Sequence, residues 1–433
     1  MASADVAPGE GEANAFGAEL RGFRKAANLS LAELGDMTGF TKGYISKVET
    51  GARAPSRELA RRCDSALGAA GRLIALTGPR RDSAITSEKL PSTRMRRSLA
   101  VVDPVELHPR QHGRIIEKGA AERTLAAFAV SFEQVRRLGQ VLPPSVVVSV
   151  LQPQWRSLQY FLPQAGSAMT KEALMLSARY AEYAGWMMQE IGDDPAALYY
   201  TDQASHLAVR AGDNDMIVNA FVRRANIALY QEDAHGVISF ATKAQRVECS
   251  NRMKRLAVLR EAQGHALMGD EDRFRKCLKK SSQYAAASGG SSNILLRRPV
   301  IGSTMVPDIA ALATGWGLYD LGRTEDSAQI LSDLLACTKR ESPRAWARVG
   351  ARLARALASN RDIVQLQAVL EPVLALFPDL ESATIRYDLR HLARTLNRWT
   401  KDPVIESLRS KLSAALAPAA GGGAVVESGS ERD

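Results

Sequence analysis

From Arg114 to about Leu416 the chain runs through one helical pattern after another, broken by Gly, Pro or Asp, with almost no alternating strand signal. EIGDDPAALYYTDQASHLA (190–208), LYQEDAHGVISFATKAQRV (229–247), LMGDEDRFRKCLKKSSQYA (267–285) and GLYDLGRTEDSAQILSDLL (317–335) share one plan. A helix ends near Gly or Asp, a short acidic turn follows, and a second helix carries an aromatic residue or Leu and then Ala or Ser. The corresponding small residues Ala204, Ala244 and Ser281 lie 40 and 37 positions apart, close to the period of helix-turn-helix solenoid repeats. A hairpin of this size buries its apolar face only against the next hairpin, so such an array curves and leaves a concave wall. The fold class expected is all-α, and 433 residues leave room for a second unit beside the array.

That unit is legible at 15–76, where five short helical patterns follow one another. FGAELRGFRKAAN sets Phe16, Leu20, Phe23 and Ala27 on one stripe. Ser30, with Glu33 three residues on, forms a capping box before LAELGDMT, and Gly39 suits the left-handed turn that ends it. Thr41 caps KGYISKVE, closed by Gly51, Ser56 caps RELARRCDSAL, and Gly68 and Gly71 bracket the start of RLIAL. Between the two units, 77–113 holds prolines at 79, 91, 104 and 109 among Arg/Ser clusters, and reads as a basic linker. Residues 1–14 and 417–433 are small, polar and Gly-containing, so both ends are expected to be disordered.

The net charge of +10 is concentrated near the start: 15–76 holds ten Lys/Arg against six Asp/Glu, and 77–115 holds eight against four. A local basic excess is the electrostatic footprint of a chain that meets nucleic acid, and RMRRS (94–98) reads as a tether able to run along phosphates. Cys63, Cys249, Cys277 and Cys337 are far apart without CxxC spacing, which suggests reduced packing residues. His108 and His112 lack a third ligand, so no metal and no cofactor is expected. No phosphate loop, HExxH or GxSxG occurs, so no enzymatic activity is expected. With no long apolar run and an acidic start, the reading is a cytosolic protein with no membrane partner.

The stretch GFTKGYISKVETGARAPS (39–56) carries the chemistry. A helix pair joined by a tight Gly-containing turn inside a small bundle is the geometry that lays the second helix in a DNA major groove. A helix N-terminus points backbone N–H groups and partial positive charge outward, which places Thr41 for a phosphate oxygen. Ile45 and Val48 should face the core with Leu31 and Leu34, turning Lys42, Gly43, Tyr44, Ser46 and Lys47 outward. Lys donates to guanine O6 and N7, Ser to several base edges, and Tyr stacks or meets a thymine methyl.

In LSLAELGDMTGFTKGYISKVETGARAPS, the capped helix, the turn glycine, the I-S-x-V-E-x-G ending and the Pro55-Ser56 start of the next helix together make residues 16–76 resemble the helix-turn-helix domain of phage repressors and Xre-family bacterial regulators. The resemblance implies that Lys42, Gly43 and Lys47 face bases, that Ser30 and Thr41 touch phosphate, and that Arg24 pairs with Glu49. Tyr44, Ser46, Arg53 and Arg57 complete the expected DNA-contacting set. Gly35 departs from the family's usual Ala and is expected to loosen the helix pair by about 1 kcal/mol of helix propensity. Gly43 supplies no side chain, so readout is expected to lean on Lys42, Tyr44 and Lys47.

The C-terminal region, most closely in AEYAGWMMQEIGDDPAALYYTDQASHLAVRAGDNDM (181–216), resembles the tetratricopeptide-like arrays found behind Xre domains. That resemblance implies a concave face for a peptide or small-molecule effector, or a surface for dimerisation. Tyr183, Asn219, Arg223, Asn226, Arg260 and Gln263 are the candidate effector face, while Trp186, Trp316, Trp346 and Trp399 read as packing between helices. The function expected is a sequence-specific transcriptional regulator, homodimeric on an inverted repeat of double-stranded DNA, nucleoid-associated and bacterial, acting as a repressor or an activator. The alternative is a partner-binding adaptor of a plasmid or phage maintenance system that uses the bundle as a docking module.

Overall fold

The breaks that punctuate the sequence become one recurring turn in the computed structural model, which describes residues 10–77, 116–287, 301, 305–399 and 402–417. Among them are nineteen α-helices and no strand. The first five are α1 (Glu10–Ala26), α2 (Leu31–Thr38), α3 (Lys42–Glu49), α4 (Arg57–Leu67) and α5 (Arg72–Ala75). The array then runs α6 (Lys118–Val141), α7 (Pro144–Phe161), α8 (Gly166–Ile191), α9 (Asp194–Ala211), α10 (Asn214–Tyr230), α11 (Ala234–Gln245) and α12 (Asn251–Met268). It continues with α13 (Glu271–Ala286), α14 (Ile309–Asp320), α15 (Thr324–Cys337), α16 (Pro343–Asn360), α17 (Ile363–Leu380), α18 (Ala383–Leu396) and α19 (Pro403–Leu416). The expectations for residues 1–9, for the linker with His108, His112 and RMRRS, and for the tail from 418 lie outside the described residues. The helix expected to start at Phe16 begins at Glu10, so residues 10–14, placed in a disordered end by their composition, are its first turns.

The turn repeats six times. Gly192, Gly212, Glu232, Gly269, Gly322 and Arg361 adopt left-handed backbone angles just past a helix end. The next residue's N–H returns to a carbonyl five residues back, as in Asp213 to Ala208 at 2.9 Å and Asp270 to His265 at 2.9 Å, which satisfies carbonyls left open at the helix end. The same next residue, in five of the six an Asp, starts the following helix. Asp193, Asp213, Asp233, Asp270 and Asp362 each accept a backbone N–H from three residues on, at 2.9–3.1 Å. One dipeptide thus closes one helix and caps the next.

Packing sorts the array into layers. α8, α10, α12, α14, α16 and α18 each contact the next member of that set, with α11, α13, α15 and α17 stacked outside them. The set closes on itself, because α18 returns to α8 and α16 to α6. Arg344 of α16 locks the closure: its guanidinium donates to the carbonyls of Gly139 (2.7 Å) and Leu142 (2.6 Å) near the end of α6, to Leu380, and to Glu190 of α8 at 3.0 Å. Ser382 and Thr384 at the start of α18 also donate to Glu190. The concave wall expected from the repeats is therefore the inside of a ring. α17 is long and apolar enough to cross a membrane by length and composition, and its Leu366, Leu370, Val373, Phe377 and Leu380 are core residues of this ring.

Candidate nucleic-acid interface

The small bundle is built around Phe16, Leu20, Leu34, Ile45, Val48, Leu59 and Leu73, all fully buried. Ser30 accepts the Glu33 N–H at 3.2 Å while the Glu33 carboxylate takes the Ser30 N–H at 2.8 Å, so α2 starts in a complete capping box. Gly39, left-handed at φ 70°, turns the chain into α3, whose first exposed amide is capped by Thr41 Oγ1 at 3.2 Å from the Tyr44 nitrogen. Arg24 of α1 forks onto both carboxylate oxygens of Glu49, at 2.6 and 2.8 Å, and also holds the Leu29 carbonyl, tying the end of α3 to the bundle.

Gly35 has a different part from the one expected of it. A Cβ there would come within 2.6 Å of the Phe40 carbonyl oxygen, so the missing side chain lets the turn close on α2 and tightens the helix pair instead of loosening it. At Gly43 an added Cβ would meet nothing within 4 Å, which fits a residue on an open helix face.

With Ile45 and Val48 turned in, the other side of α3 is free. Thr41, Lys42, Gly43 and Lys47 are exposed, as are Ser30 and Arg53, while Tyr44 and Ser46 are partly covered. Tyr44 stacks on Phe40 with ring centroids 5.3 Å apart, and Arg53 lies over the Tyr44 ring at 4.8 Å. That leaves the Tyr44 ring occupied on this side by a cation, and the two lysines as the free charges of the helix. Arg57 is not part of this face. Its guanidinium donates to the Glu232 carbonyl at 2.5 Å and lies 3.4 Å from the Glu232 carboxylate, because α4 turns its first residues toward the array.

That contact belongs to a larger seat. The inner helices α10, α12, α14, α16 and α18 all end at one rim of the ring, and α4 and α5 rest on it. Arg61 reaches Asp320 at 3.3 Å and Glu232 at 3.9 Å, and Arg62 donates to Ser359 at 2.6 Å. Glu58 accepts Arg398 at 2.8 Å, and Gly71 lies against the last residues of α12. Three arginines of α4 thus face a rim of helix C-termini, where the unpaired carbonyls carry partial negative charge. Glu232 and Glu58 are held down to about 2: burial opposes their ionisation, and the arginines around them outweigh it. Burial and Arg355 push His391 down to about 3, so it meets Glu232 as neutral imidazole.

The six residues proposed to line an effector face do not share one. Tyr183 is buried between α6 and α8, its hydroxyl 3.3 Å from the Arg136 carbonyl, and burial pushes its pKa up. Asn219 is buried beside Met216. Arg223 and Asn226 both donate to Gln189, at 2.9 and 3.3 Å, and Arg260 donates to Gln263. Elsewhere, Glu261, His265 and Cys277 bring three donor atoms within 4.8 Å of one another on α12 and α13. No spacing motif announces that trio, and burial raises the thiol to about 12 while Gln245 holds Glu261 at 2.7 Å.

The family model of a helix-turn-helix domain matches residues 15–76. The N-terminal bundle is a helix-turn-helix domain. No match was found among curated proteins. The matched span ends one residue past α5, so the domain includes the α4 and α5 surfaces that sit on the array.

Proposed function

We propose that this protein is a sequence-specific, non-catalytic transcription regulator of the Xre type, cytoplasmic and nucleoid-associated, whose tetratricopeptide-like ring dimerises and senses an effector. The observation that carries the reading is α3 of the helix-turn-helix domain: capped by Thr41, pinned from behind by Arg24–Glu49, and exposing Lys42 and Lys47 with no carboxylate partner among the described residues. Free lysines on a rigid helix suit guanine edges and phosphates. A dimer would set two such helices about one DNA turn apart on a near-palindromic site. The seat of α4 on the ring supports sensing, since a ligand that favours one arrangement of the rim over another would bias where the helix-turn-helix domain sits.

The test selects bound genomic fragments with the full chain, then measures affinity for the enriched site against salt for wild type, Lys42→Ala and Lys47→Ala. Removing a lysine that reads a base should cost about 1–3 kcal/mol and blur one position of the site. Removing one that meets a phosphate should weaken binding to all sequences and flatten the salt slope by about one. Unchanged affinity in both variants would show that α3 does not enter the groove.

A further inference from the structure

The inner face of α16 carries Arg344, Arg348, Arg352 and Arg355, one to each turn of helix. Three of them have partners. Arg344 is spent on Glu190 and the α6 carbonyls, and Arg352 and Arg355 share Asp388 of α18 at 3.3 and 2.5 Å. Arg348 donates no hydrogen bond and has no carboxylate within ion-pair distance among the described residues.

Glu190 attracts Arg348, but two further arginines stand against it. Arg223 of α10 and Arg260 of α12 both lie close enough to Arg348 to repel it. Burial, and then Arg348, Arg223 and Arg352, push the Arg260 guanidinium down to about 10. The carboxylates nearby are Glu182, 3.9 Å from Arg223, and Glu190, already consumed by Arg344, Ser382 and Thr384. Three guanidinium groups thus face one free carboxylate inside the ring.

The amides around them point the same way. Gln189 accepts Arg223 at 2.9 Å and Asn226 at 3.3 Å on its oxygen, and Gln263 accepts Arg260 on its own. Those contacts fix each amide's orientation, because turning it over would set N–H against guanidinium. The Nε2 of both glutamines are then buried donors without an acceptor, while the Nε of Arg223 makes no hydrogen bond and has the Glu182 carboxylate 3.9 Å away. Gln263 is fully buried, Gln189 is 3% exposed and Arg223 9%. Unmatched buried donors are costly, and here both amides beside the arginines lack the same thing, an acceptor.

We propose that Arg223, Arg260 and Arg348, with the free amides of Gln189 and Gln263, form a binding site inside the ring for a small ligand with two or more negative charges on oxygen, such as a phosphate ester or a polycarboxylate. The excess of guanidinium over carboxylate sets the minimum charge, and the planar forks suit either oxyanion. The inference gives the effector of the proposed regulator its chemistry, and rests on that reading only for the consequence of binding.

The experiment titrates full-length protein with pyrophosphate and, separately, with citrate at constant ionic strength, with chloride as control, and follows calorimetric heat and melting temperature. At least one anion should bind one per chain and raise the melting temperature, and the preferred one tells phosphoryl from carboxylate chemistry. Arg348→Gln and Arg260→Gln should each weaken binding at least tenfold, with Arg348→Lys between them and wild type. Arg348→Gln without ligand should melt at or above wild type, since Arg348 loses no partner and its repulsion is relieved. Heats and melting temperatures that follow chloride, or an anion effect that Arg348→Gln keeps in full, overturn the site and leave those donors to water. DNA binding is measured on the same samples: DNA binding without anion binding sinks this inference alone, and anion binding without DNA binding sinks the regulator reading alone.

Discussion

Glu232 is the residue on which the seat of the helix-turn-helix domain most depends, and replacing it by Gln should loosen that domain from the ring. Its carboxylate lies 3.4 Å from Arg57 and 3.9 Å from Arg61, and accepts the Tyr387 hydroxyl at 2.9 Å. At an effective dielectric of about 20, each arginine attracts it by roughly 4–5 kcal/mol before desolvation. The net preference for the charged form is the fall from an ordinary 4.5 to about 2, on the order of 3 kcal/mol. Its side chain is 19% exposed, and solvent screening trims this to ~2 kcal/mol. Gln keeps the shape and the Tyr387 contact, so what disappears is the charge. Because the folded pKa lies below the unfolded one, the stabilisation is fully present above pH 4.5 and disappears as pH falls toward 2. The assay is paired: melting of wild type and Glu232→Gln from pH 7 to pH 3, and hydrogen exchange of the α4 amides at pH 7. The variant should melt about 2–3 °C lower at pH 7, the gap should narrow below pH 4.5, and α4 should exchange faster. A gap under about 1 °C, or one that is constant with pH, would refute the account of the seat.

Three further outcomes test the packing argument. Gly35→Ala should destabilise the helix-turn-helix domain by about 1–3 kcal/mol in thermal melts despite its better helix propensity, because its methyl meets the Phe40 carbonyl at 2.6 Å. Gly43→Ala should stabilise α3 by up to about 1 kcal/mol in the same melts, and any loss of DNA affinity it causes then reports a surface pressed against the duplex. Arg344→Met leaves Glu190 charged and buried, and should cost about 3–5 kcal/mol by denaturant melting. Adding Glu190→Gln should restore much of it, since the unpaired charge is then gone.

How much of this was legible in the chain depended on whether the partner lay nearby in sequence. The helix-turn-helix domain was readable because Ser30–Glu33, Thr41 and the Gly39 turn act within four residues, and the apolar stripe of α1 marks its own buried side. The array was readable for the same reason: Gly-Asp at 192, 212 and 269 carries the helix end and the next cap in two letters. Ring closure was not, because it rests on Arg344 meeting Glu190, 154 residues away. Closure reverses the ordinary meaning of charge on a helix. PRAWARVGARLARALASN reads as an amphipathic helix with a solvated arginine face, and in the ring that face is the inside. The same reversal explains Arg57, which follows the helix-turn-helix motif as a DNA-contacting arginine would, yet finds Glu232 175 residues on. It also separates the effector candidates: Arg223 and Arg260 lie near Arg348 of α16, with Gln263 held by Arg260, while Tyr183 packs edge-on against Phe132 of α6 and Asn219 is buried beside Met216. A polar residue on a repeat helix thus has two destinations, seam or interior, and the choice is made by the curvature of the whole array, which no single repeat encodes.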